Sequence, residues 1–251
     1  MSHRMYRSYQ ALILMGLGLF LGLKLVNGTL TWYINQRFIP LTLLAIVLFF
    51  ILAGSLTQRR NGDDQRGHDH EHDHEHHTHE HNHASGGNLV FLLIPLAIGL
   101  LIPARPLDST ALSTRGFTTS SALVSSGGAA IFETDAEQRT ILDWIKVFNY
   151  ESNLEPYLGQ KAAVIGFVYH DEKLAEGQFY VSRFVVSCCA ADGFALAMLV
   201  EWPEAASLEQ DAWVLVRGPV TSAQTETHTI PVIQAETVEI VPVPDQPYLY
   251  P

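Results

Sequence analysis

Residues 68–83 hold the densest set of metal-ligating side chains in the protein. Their sequence is HDHEHDHEHHTHEHNH. At neutral pH most imidazoles are unprotonated and offer a nitrogen lone pair, while neighbouring carboxylates supply oxygen ligands or orient the rings. This donor set predicts binding of a divalent metal, zinc in first place, with nickel, copper or cobalt as alternatives. The nine candidate ligands are His68, His70, His72, His74, His76, His77, His79, His81 and His83.

The same tract contains no apolar side chain, so it cannot join a hydrophobic core and is expected to be disordered without a ligand. Because many overlapping ligand sets exist, bound metal should be multiple, exchangeable and moderate in affinity, unlike a structural zinc site of fixed geometry. Three other interpretations stay open: a solvated low-complexity loop, a pH-responsive loop and a protein-interaction segment.

The only two cysteines, Cys188 and Cys189, are adjacent. In a regular strand their side chains would point to opposite faces. If the chain leaves the strand between Ser187 and Ala190, both thiols could converge with Asp192 on a second metal site, suited to Zn²⁺ or Cu⁺. A strained, easily reduced vicinal disulfide and simple packing at a strand end are the alternatives. Further candidate ligands are His170, Asp171 and His228, which are more typical of surface positions.

Three apolar stretches, at about 9–34, 38–56 and 89–102, make residues 1–103 a membrane α-helical part with two to three spans. Roughly 20 apolar residues cross a bilayer, so the first two stretches are long enough and the third is short. We favour a third span over a re-entrant or interfacial segment. The polar loop at 57–88, which contains the His-rich tract, then lies between the second and third stretches. Lys24, inside the first stretch, is expected to snorkel to the interface, and the alternative is a position facing protein or water.

The arginines in short loops predict the orientation. Two precede the first span, one lies between the first two spans, and three follow the second. By the positive-inside rule the N-terminus and the His-rich loop are cytoplasmic in a plasma membrane. The C-terminal domain is then extracytoplasmic if the third stretch crosses, and cytoplasmic if it does not.

Beyond the membrane part, residues 104–130 are rich in Ser, Thr, Gly and Ala and predict a flexible linker. A helical pattern follows at about 135–148. From about residue 160 the pattern alternates and predicts five strands separated by turns. We therefore expect residues 131–251 to form a mainly-β domain, a five-stranded barrel like the oligonucleotide/oligosaccharide-binding (OB) fold, with one flanking helix.

The charge distribution excludes one class of partner. Residues 1–103 hold seven basic and seven acidic residues, whereas residues 104–251 hold eight basic and 19 acidic, a balance of −11. Such a surface repels phosphates, so nucleic-acid binding is not expected. No nucleophile–base pair, phosphate-binding loop or catalytic carboxylate pair is recognisable, so the sequence does not predict an enzyme. A metal-dependent enzyme that uses the cysteine site is the weakest alternative.

The segment FYVSRFVVSCCAADGFALAMLVEW, at 179–202, contains an uncommon motif, R-F-x-x-x-C-C-A-A-D. The motif residues are Arg183, Phe184, Cys188, Cys189, Ala190, Ala191 and Asp192. This segment resembles the YcgQ-type family of bacterial membrane proteins, and the resemblance extends over essentially the whole chain. It implies an accessory subunit of a permease, often encoded by a neighbouring gene. The His-rich tract is a separate feature.

Together these observations predict an accessory subunit of a membrane permease that is linked to divalent metal-ion handling through the His-rich loop. Its expected partners are membrane lipid and an integral-membrane permease. The alternative is a membrane-anchored ligand-binding or redox module with a vicinal cysteine pair, in which the His-rich tract is only a passive metal buffer.

Overall fold

The computed structural model describes residues 3–63, 87–116, 134–224 and 229–251. The chain divides into two compact units. The first unit comprises Met1–Leu30 and Gln36–Ala104, and the second comprises Thr31–Asn35 and Arg105–Pro251. The His-rich tract, with its nine predicted ligands, lies outside the described residues.

The first unit contains three apolar helices, α1 (His3–Val26), α2 (Ile39–Asp63) and α3 (Gly87–Leu101). Two stretches, Met5–Val26 and Gln36–Gln58, are long and apolar enough to cross a membrane, while α3 is shorter. Apolar side chains on all three helices are exposed. Because water would disfavour so large an apolar surface, these helices suit a lipid environment, and the prediction of two apolar N-terminal helices is confirmed.

Small residues allow these helices to approach one another closely. A Cβ atom added at Gly99 of α3 would lie 2.6 Å from Cζ of Phe20 on α1. A Cβ added at Gly18 of α1 would lie 3.1 Å from Cε2 of Phe50 on α2. Glycine is the residue that permits such backbone proximity between apolar helices.

Helix α1 ends earlier than the predicted span because its last turn is followed by Asn27 and Gly28. Gly28 has a φ of 72°, the left-handed conformation in which glycine commonly ends a helix. Lys24 lies in the last turn of α1, with its Nζ 5.5 Å from the centroid of the Phe20 ring. A lysine so close to a helix end can reach the interface by snorkelling.

The second unit is built on one sheet of six strands. They are β1 (Lys161–Tyr169), β2 (Gln178–Val185), β3 (Phe194–Glu201), β4 (Trp213–Gln224), β5 (Thr229–Gln234) and β6 (Thr237–Ile240). Their order is β1-β2-β3-β5-β4-β6, and β4 also pairs with β1. All pairings are antiparallel except β3 with β5. The mainly-β prediction is thus confirmed.

The fifth predicted strand is divided into β5 and β6. Between them the backbone N–H of Ala235 donates to the Glu201 carbonyl, and the N–H of Glu236 donates to the Arg217 carbonyl. These two hydrogen bonds reach different neighbouring strands. The chain therefore changes partner at this point, from β3 and the end of β4 to the beginning of β4.

The flanking helix α5 (Ile141–Tyr150) begins later than the sequence pattern predicts. Thr140 caps it, because its side chain accepts from the Asp143 N–H while the Asp143 carboxylate accepts from the Thr140 N–H. This reciprocal capping box fixes the helix start. Trp144 and Val147 of α5 are fully buried in the main core, which the helix shares with the sheet.

Part of the predicted linker is helical and packed. Helix α4 (Ser109–Arg115) begins with Asp108 as N-cap, and the Asp211 carboxylate accepts hydrogen bonds at 2.7 Å from both N and Oγ of Ser109. Leu112 is only 1% exposed, because it packs into a second core cluster with the aromatic residues of the sheet. Residues 105–116 therefore belong to the β unit, and residues 117–133 lie outside the described chain.

Candidate functional site

The two cysteines lie just beyond the end of β2. The strand ends at Val185, and Ala190–Asp192 form a 3₁₀ turn, so the chain has left the regular strand where the thiols occur. The thiols consequently converge: their Sγ atoms are 3.7 Å apart. Ligand atoms of Cys188, Cys189 and Asp192 all lie within 4.8 Å of one another. A shared site required that the chain leave the strand before the two cysteines, and the backbone does so after Val185.

Asp192 organises this Cys loop, by which we mean residues 186–193. Its carboxylate accepts hydrogen bonds from the backbone N–H groups of Ser187 at 3.1 Å, Cys188 at 2.7 Å and Cys189 at 3.3 Å. Burial acts to raise the pKa of Asp192, but hydrogen bonds from the Cys188 thiol and these N–H groups outweigh it and hold the pKa below its ordinary value. The carboxylate is therefore ionised at neutral pH.

The same carboxylate keeps the Cys188 thiol protonated. Its hydrogen bond with Asp192, followed by that with Cys189, raises the pKa of Cys188 to about 11. Cys188 is exposed and Cys189 is partly buried. Because the thiolate is the reactive form, Cys188 is poorly suited to act as a nucleophile. A cation of high affinity for sulfur could displace the thiol protons.

A segment from between the first two helices fixes the backbone of the Cys loop. Asn35 donates from its N–H to the Cys188 carbonyl at 3.0 Å, and Ala190 donates to the Tyr33 carbonyl at 2.8 Å. The Asn35 side chain, only 3% exposed, donates to the Ser187 carbonyl at 3.0 Å. This connecting segment, residues 31–35, follows α1 and precedes α2 in the chain but belongs to the β unit.

Helix α4 holds the other side of the Cys loop. Arg115 donates from Nη1 to the carbonyls of Gly193 at 2.7 Å and Ala190 at 3.1 Å. A Cβ atom at Gly193 would come within 2.8 Å of Cδ1 of Leu107, so a larger residue there would push the loop away from its support. The positions of the thiols are thus set by residues remote in sequence.

The arginine and phenylalanine of the motif have structural roles. Arg183 donates from Nε to the Pro247 carbonyl at 3.0 Å and from Nη2 to the Gln246 carbonyl, while its guanidinium lies 5.7 Å from the Trp213 ring centroid. Burial lowers the pKa of Arg183 to about 10, which still leaves it charged at neutral pH. Phe184 stacks on a core aromatic ring with centroids 5.8 Å apart.

The C-terminal tail runs beside the end of β2. Leu249 donates from its N–H to the Phe184 carbonyl at 2.8 Å and accepts from the Val186 N–H at 3.0 Å. The Tyr248 hydroxyl donates to the Trp32 carbonyl at 2.9 Å, so the tail also touches the connecting segment. Arg183 and the tail together support the strand from which the Cys loop emerges.

Other predicted ligands lie elsewhere. His170 and Asp171 are in the connection between β1 and β2, where a ring nitrogen of His170 is 2.9 Å from the Leu208 carbonyl. They do not belong to the thiol–carboxylate cluster found among the described residues. His228 lies outside those residues. Sequence reasoning missed Asn35, whose contact with Ser187 spans 152 positions, and nothing local to Asn35 signals that contact.

Comparisons with known proteins cover most of the chain. Residues 9–118 match the DUF1980 N-terminal domain, and residues 136–251 match the DUF1980 C-terminal domain. UPF0703 protein YcgQ of Bacillus subtilis (strain 168) is 29% identical, over 96% of this chain and 99% of the relative. A protein of Streptococcus mutans named "Putative two-component membrane permease complex subunit" is 27% identical, over 93% of this chain and 94% of the relative.

Proposed function

We propose that this chain, which belongs to the family that the DUF1980 domains define, is an accessory subunit of a membrane permease complex that handles a divalent metal ion. The observation that carries the proposal is the way the β unit incorporates residues 31–35, the connection between two helices of membrane-spanning length. The name of the streptococcal relative supports the subunit role.

Attachment at two points of the chain distinguishes this arrangement from a tethered domain. The β unit takes in the connecting segment as well as the chain from Arg105 onward. Asn35 of that segment donates hydrogen bonds to the Cys loop, and the Tyr33 carbonyl accepts one from it. Because such hydrogen bonds stabilise the loop that they join, residues 31–35 are fixed to the β unit as a second point of attachment along the chain. Such fixation suits a subunit that works beside an integral-membrane partner.

The connecting segment also supports a three-span topology. Residues 31–35 lie between α1 and α2 in the chain and belong to the β unit. On this proposal the β unit is therefore on the side of the membrane where α1 ends and α2 begins. If α1 and α2 both cross, α3 must cross as well to return the chain to that side. With the arginine distribution read by the positive-inside rule, the N-terminus and the His-rich loop are cytoplasmic and the β unit is extracytoplasmic.

The metal part of the proposal comes from side-chain chemistry. Nine imidazoles and five carboxylates within 16 residues offer many overlapping ligand sets for Zn²⁺, and also for nickel, copper or cobalt. A tract of this kind gathers or senses a cation instead of enclosing it in a rigid structural site. On the proposed topology, it does so on the cytoplasmic side.

For the β unit we propose an OB-like barrel. The pairings lead from β1 through β2, β3, β5 and β4, and β4 pairs again with β1 over Lys161–Phe167 and Trp213–Pro219. A sheet whose pairings return to the first strand leaves few unpaired edges. Gly218 supports strong curvature, because a Cβ atom there would collide with the Gln234 carbonyl oxygen.

Co-purification tests the subunit role. The full-length chain, carrying a peptide tag other than polyhistidine so that the His-rich tract does not confuse capture, is extracted from its native membrane in a mild detergent. We expect the permease encoded by a neighbouring gene to elute with it. An unrelated membrane protein with the same tag is the control. Recovery of the chain without the permease, under conditions that keep other membrane complexes intact, contradicts the proposal.

A separate experiment tests metal handling by the tract. All nine histidines in residues 68–83 are replaced by glutamine, which preserves loop length, polarity and formal charge. We expect cellular zinc content, or tolerance to added zinc, to change relative to the parent, with nickel, copper and cobalt measured in parallel. A variant in which Thr78 alone is changed to alanine serves as control. Unchanged content and tolerance for all four metals contradict the metal role.

The second candidate function is a membrane-anchored redox or ligand-binding module, with the tract as a passive metal buffer. The 3.7 Å separation of the two Sγ atoms favours it, because a disulfide needs them about 2 Å apart and only a modest movement is required. Thiol titration of the chain isolated directly from cells, with and without reductant, discriminates this candidate. Two free thiols under both conditions argue against it.

A further inference from the structure

We infer that Cys188, Cys189 and Asp192 form a three-ligand site for Zn²⁺ whose fourth coordination position is open to an exchanging ligand. This inference goes beyond the proposed function, because it concerns a property of the isolated chain and does not depend on a permease partner. The site is separate in sequence from the His-rich tract.

The first argument is the spacing of the donors. Zinc–sulfur bonds of about 2.3 Å at a tetrahedral angle place two sulfur ligands about 3.8 Å apart. The observed separation between Sγ of Cys188 and Sγ of Cys189 is 3.7 Å. Soft monovalent cations bind two thiolates in a linear arrangement. That geometry would need the two sulfur atoms roughly 4.6 Å apart at similar bond lengths. The carboxylate of Asp192 completes a triangle within 4.8 Å.

The second argument is that the donors are already arranged. The Cys loop is held by the connecting segment through Asn35, by α4 through Arg115, and by the carboxylate of Asp192 itself. Metal binding therefore requires little ordering of the backbone. Ligands that are held in place by hydrogen bonds from surrounding residues bind metal more tightly than mobile ligands do.

The third argument is the capacity of Asp192 to take a metal as well. A carboxylate has about four lone-pair positions, and three of those on Asp192 accept backbone N–H groups. The Cys188 thiol also hydrogen-bonds to this carboxylate. When Zn²⁺ replaces the two thiol protons, two protons are released and that position becomes free for the metal. Two thiolates and one carboxylate then leave a net charge of −1 around the ion.

The fourth argument concerns exchange. Structural zinc sites have four protein ligands, whereas sites that exchange a ligand or act on a substrate have three. Among the described residues no fourth His, Cys, Asp or Glu joins this cluster. Cys188 is exposed, so the remaining position faces solvent and can accept a ligand from a partner or from a metal carrier.

Cobalt spectroscopy provides the test, because tetrahedral Co²⁺–thiolate sites absorb strongly. The full-length chain is purified under reducing conditions in detergent, with the nine tract histidines changed to glutamine to remove competing ligands. We expect one Co²⁺ per chain, with thiolate-to-cobalt charge-transfer absorption that Zn²⁺ abolishes. Cys188→Ser and Cys189→Ser should each eliminate this absorption, and Asp192→Asn should weaken Co²⁺ binding by about tenfold or more.

Asp171→Asn is the matched control, since Asp171 is another loop carboxylate that accepts a backbone N–H, from Lys173 at 2.9 Å. It should bind Co²⁺ like the parent. No charge-transfer absorption in the parent, or equal absorption in the cysteine variants, overturns the site. Unaltered affinity in Asp192→Asn overturns the three-ligand arrangement.

A second measurement avoids dependence on variant folding. In the unaltered cysteine loop, Zn²⁺ should protect both thiols from alkylation, and a chelator should restore their reactivity. Alkylation that zinc does not slow overturns the inference. Because neither measurement involves the permease, failure of the zinc site and failure of the subunit role are recognised separately.

Discussion

At the scale of single residues, Asp192 opposes ionisation of the thiol beside it, and this gives a prediction for the metal-free protein. The hydrogen bond to Asp192 is the main reason that the pKa of Cys188 rises to about 11. In a Cys189→Ser background, Asp192→Asn should lower that pKa, so that alkylation begins at lower pH. Each unit of decrease should speed alkylation at pH 8 about threefold, because a tenfold gain in thiolate is partly offset by weaker nucleophilicity.

The rate of iodoacetamide reaction as a function of pH measures this effect. Asp171→Asn in the same Cys189→Ser background is the control, since Asp171 lies in the β1–β2 connection and not beside the thiols. Its profile should coincide with that of the background protein. An identical profile for Asp192→Asn would show that the carboxylate does not suppress the Cys188 thiolate.

Arg183, although part of the cysteine motif, is expected to matter for stability instead of metal binding. Its guanidinium donates to the carbonyls of Pro247 and Gln246 and lies over the Trp213 ring. Lysine cannot reproduce this forked geometry, so Arg183→Lys should lower the free energy of unfolding by about 2 kcal/mol. Denaturant unfolding followed by tryptophan fluorescence is the measurement. The exposed Arg217, changed to lysine, should cause a loss below about 0.5 kcal/mol. Equal losses would contradict the role given to Arg183.

At the scale of elements, the contact between α1 and α3 depends on a glycine. A Cβ at position 99 would lie 2.6 Å from Phe20, whereas a Cβ at Gly22 of α1 would meet nothing within 4 Å. Gly99→Val should therefore destabilise the helical unit by about 1–3 kcal/mol, as overpacking generally does. Thermal unfolding in detergent should reveal a lower Tm for Gly99→Val and little change for Gly22→Val. Phe20→Leu should partly restore the Tm; equal Tm values for both glycine variants would refute the close contact.

Comparison of the predicted with the observed helices and strands shows which features of the fold local sequence patterns can predict. Long apolar runs and alternating β-branched residues predict α1, α2 and most strands, because these signals are local. The division of the last predicted strand depends on Ala235 and Glu236 bonding to two different strands, which no local pattern encodes. Helix α4 could not be predicted either, because its Ser- and Thr-rich composition is typical of a linker. The core contacts of Leu112 that make the helix pack are not visible in the local sequence.

The metal-ligating residues of the candidate site could be predicted from the sequence, but the residues that hold them in place could not. Adjacent cysteines followed by Asp192 suggested a shared site on condition that the strand ended, and β2 does end at Val185. The residues that hold the loop, Asn35 and Arg115, are 152 and 78 positions from the carbonyls to which they donate. Long-range pairings of this kind are set by the fold as a whole and leave no periodic trace in the sequence.

At the scale of the whole molecule, the incorporation of residues 31–35 into the β unit leads to a prediction of sidedness. Cys188 and Cys189 are the only cysteines in the chain, and Cys188 is exposed. On the proposed topology, a membrane-impermeant maleimide added to intact cells, after brief chelation to remove any bound metal, should label the native chain. Cell wall or outer-membrane barriers are made permeable beforehand without breaching the plasma membrane.

The matched control removes both native thiols and places a single thiol on the other predicted side. In a Cys188→Ser, Cys189→Ser background, Thr78→Cys introduces a single thiol within the His-rich tract, which should react only after the plasma membrane is permeabilised. This contrast follows from chain connectivity: a connection shared with the β unit requires that α3 cross when α1 and α2 do. If the native cysteines react only after permeabilisation, the β unit is cytoplasmic. The zinc site and the His-rich tract would then face the same compartment, and transfer of metal between them would need no passage through the membrane.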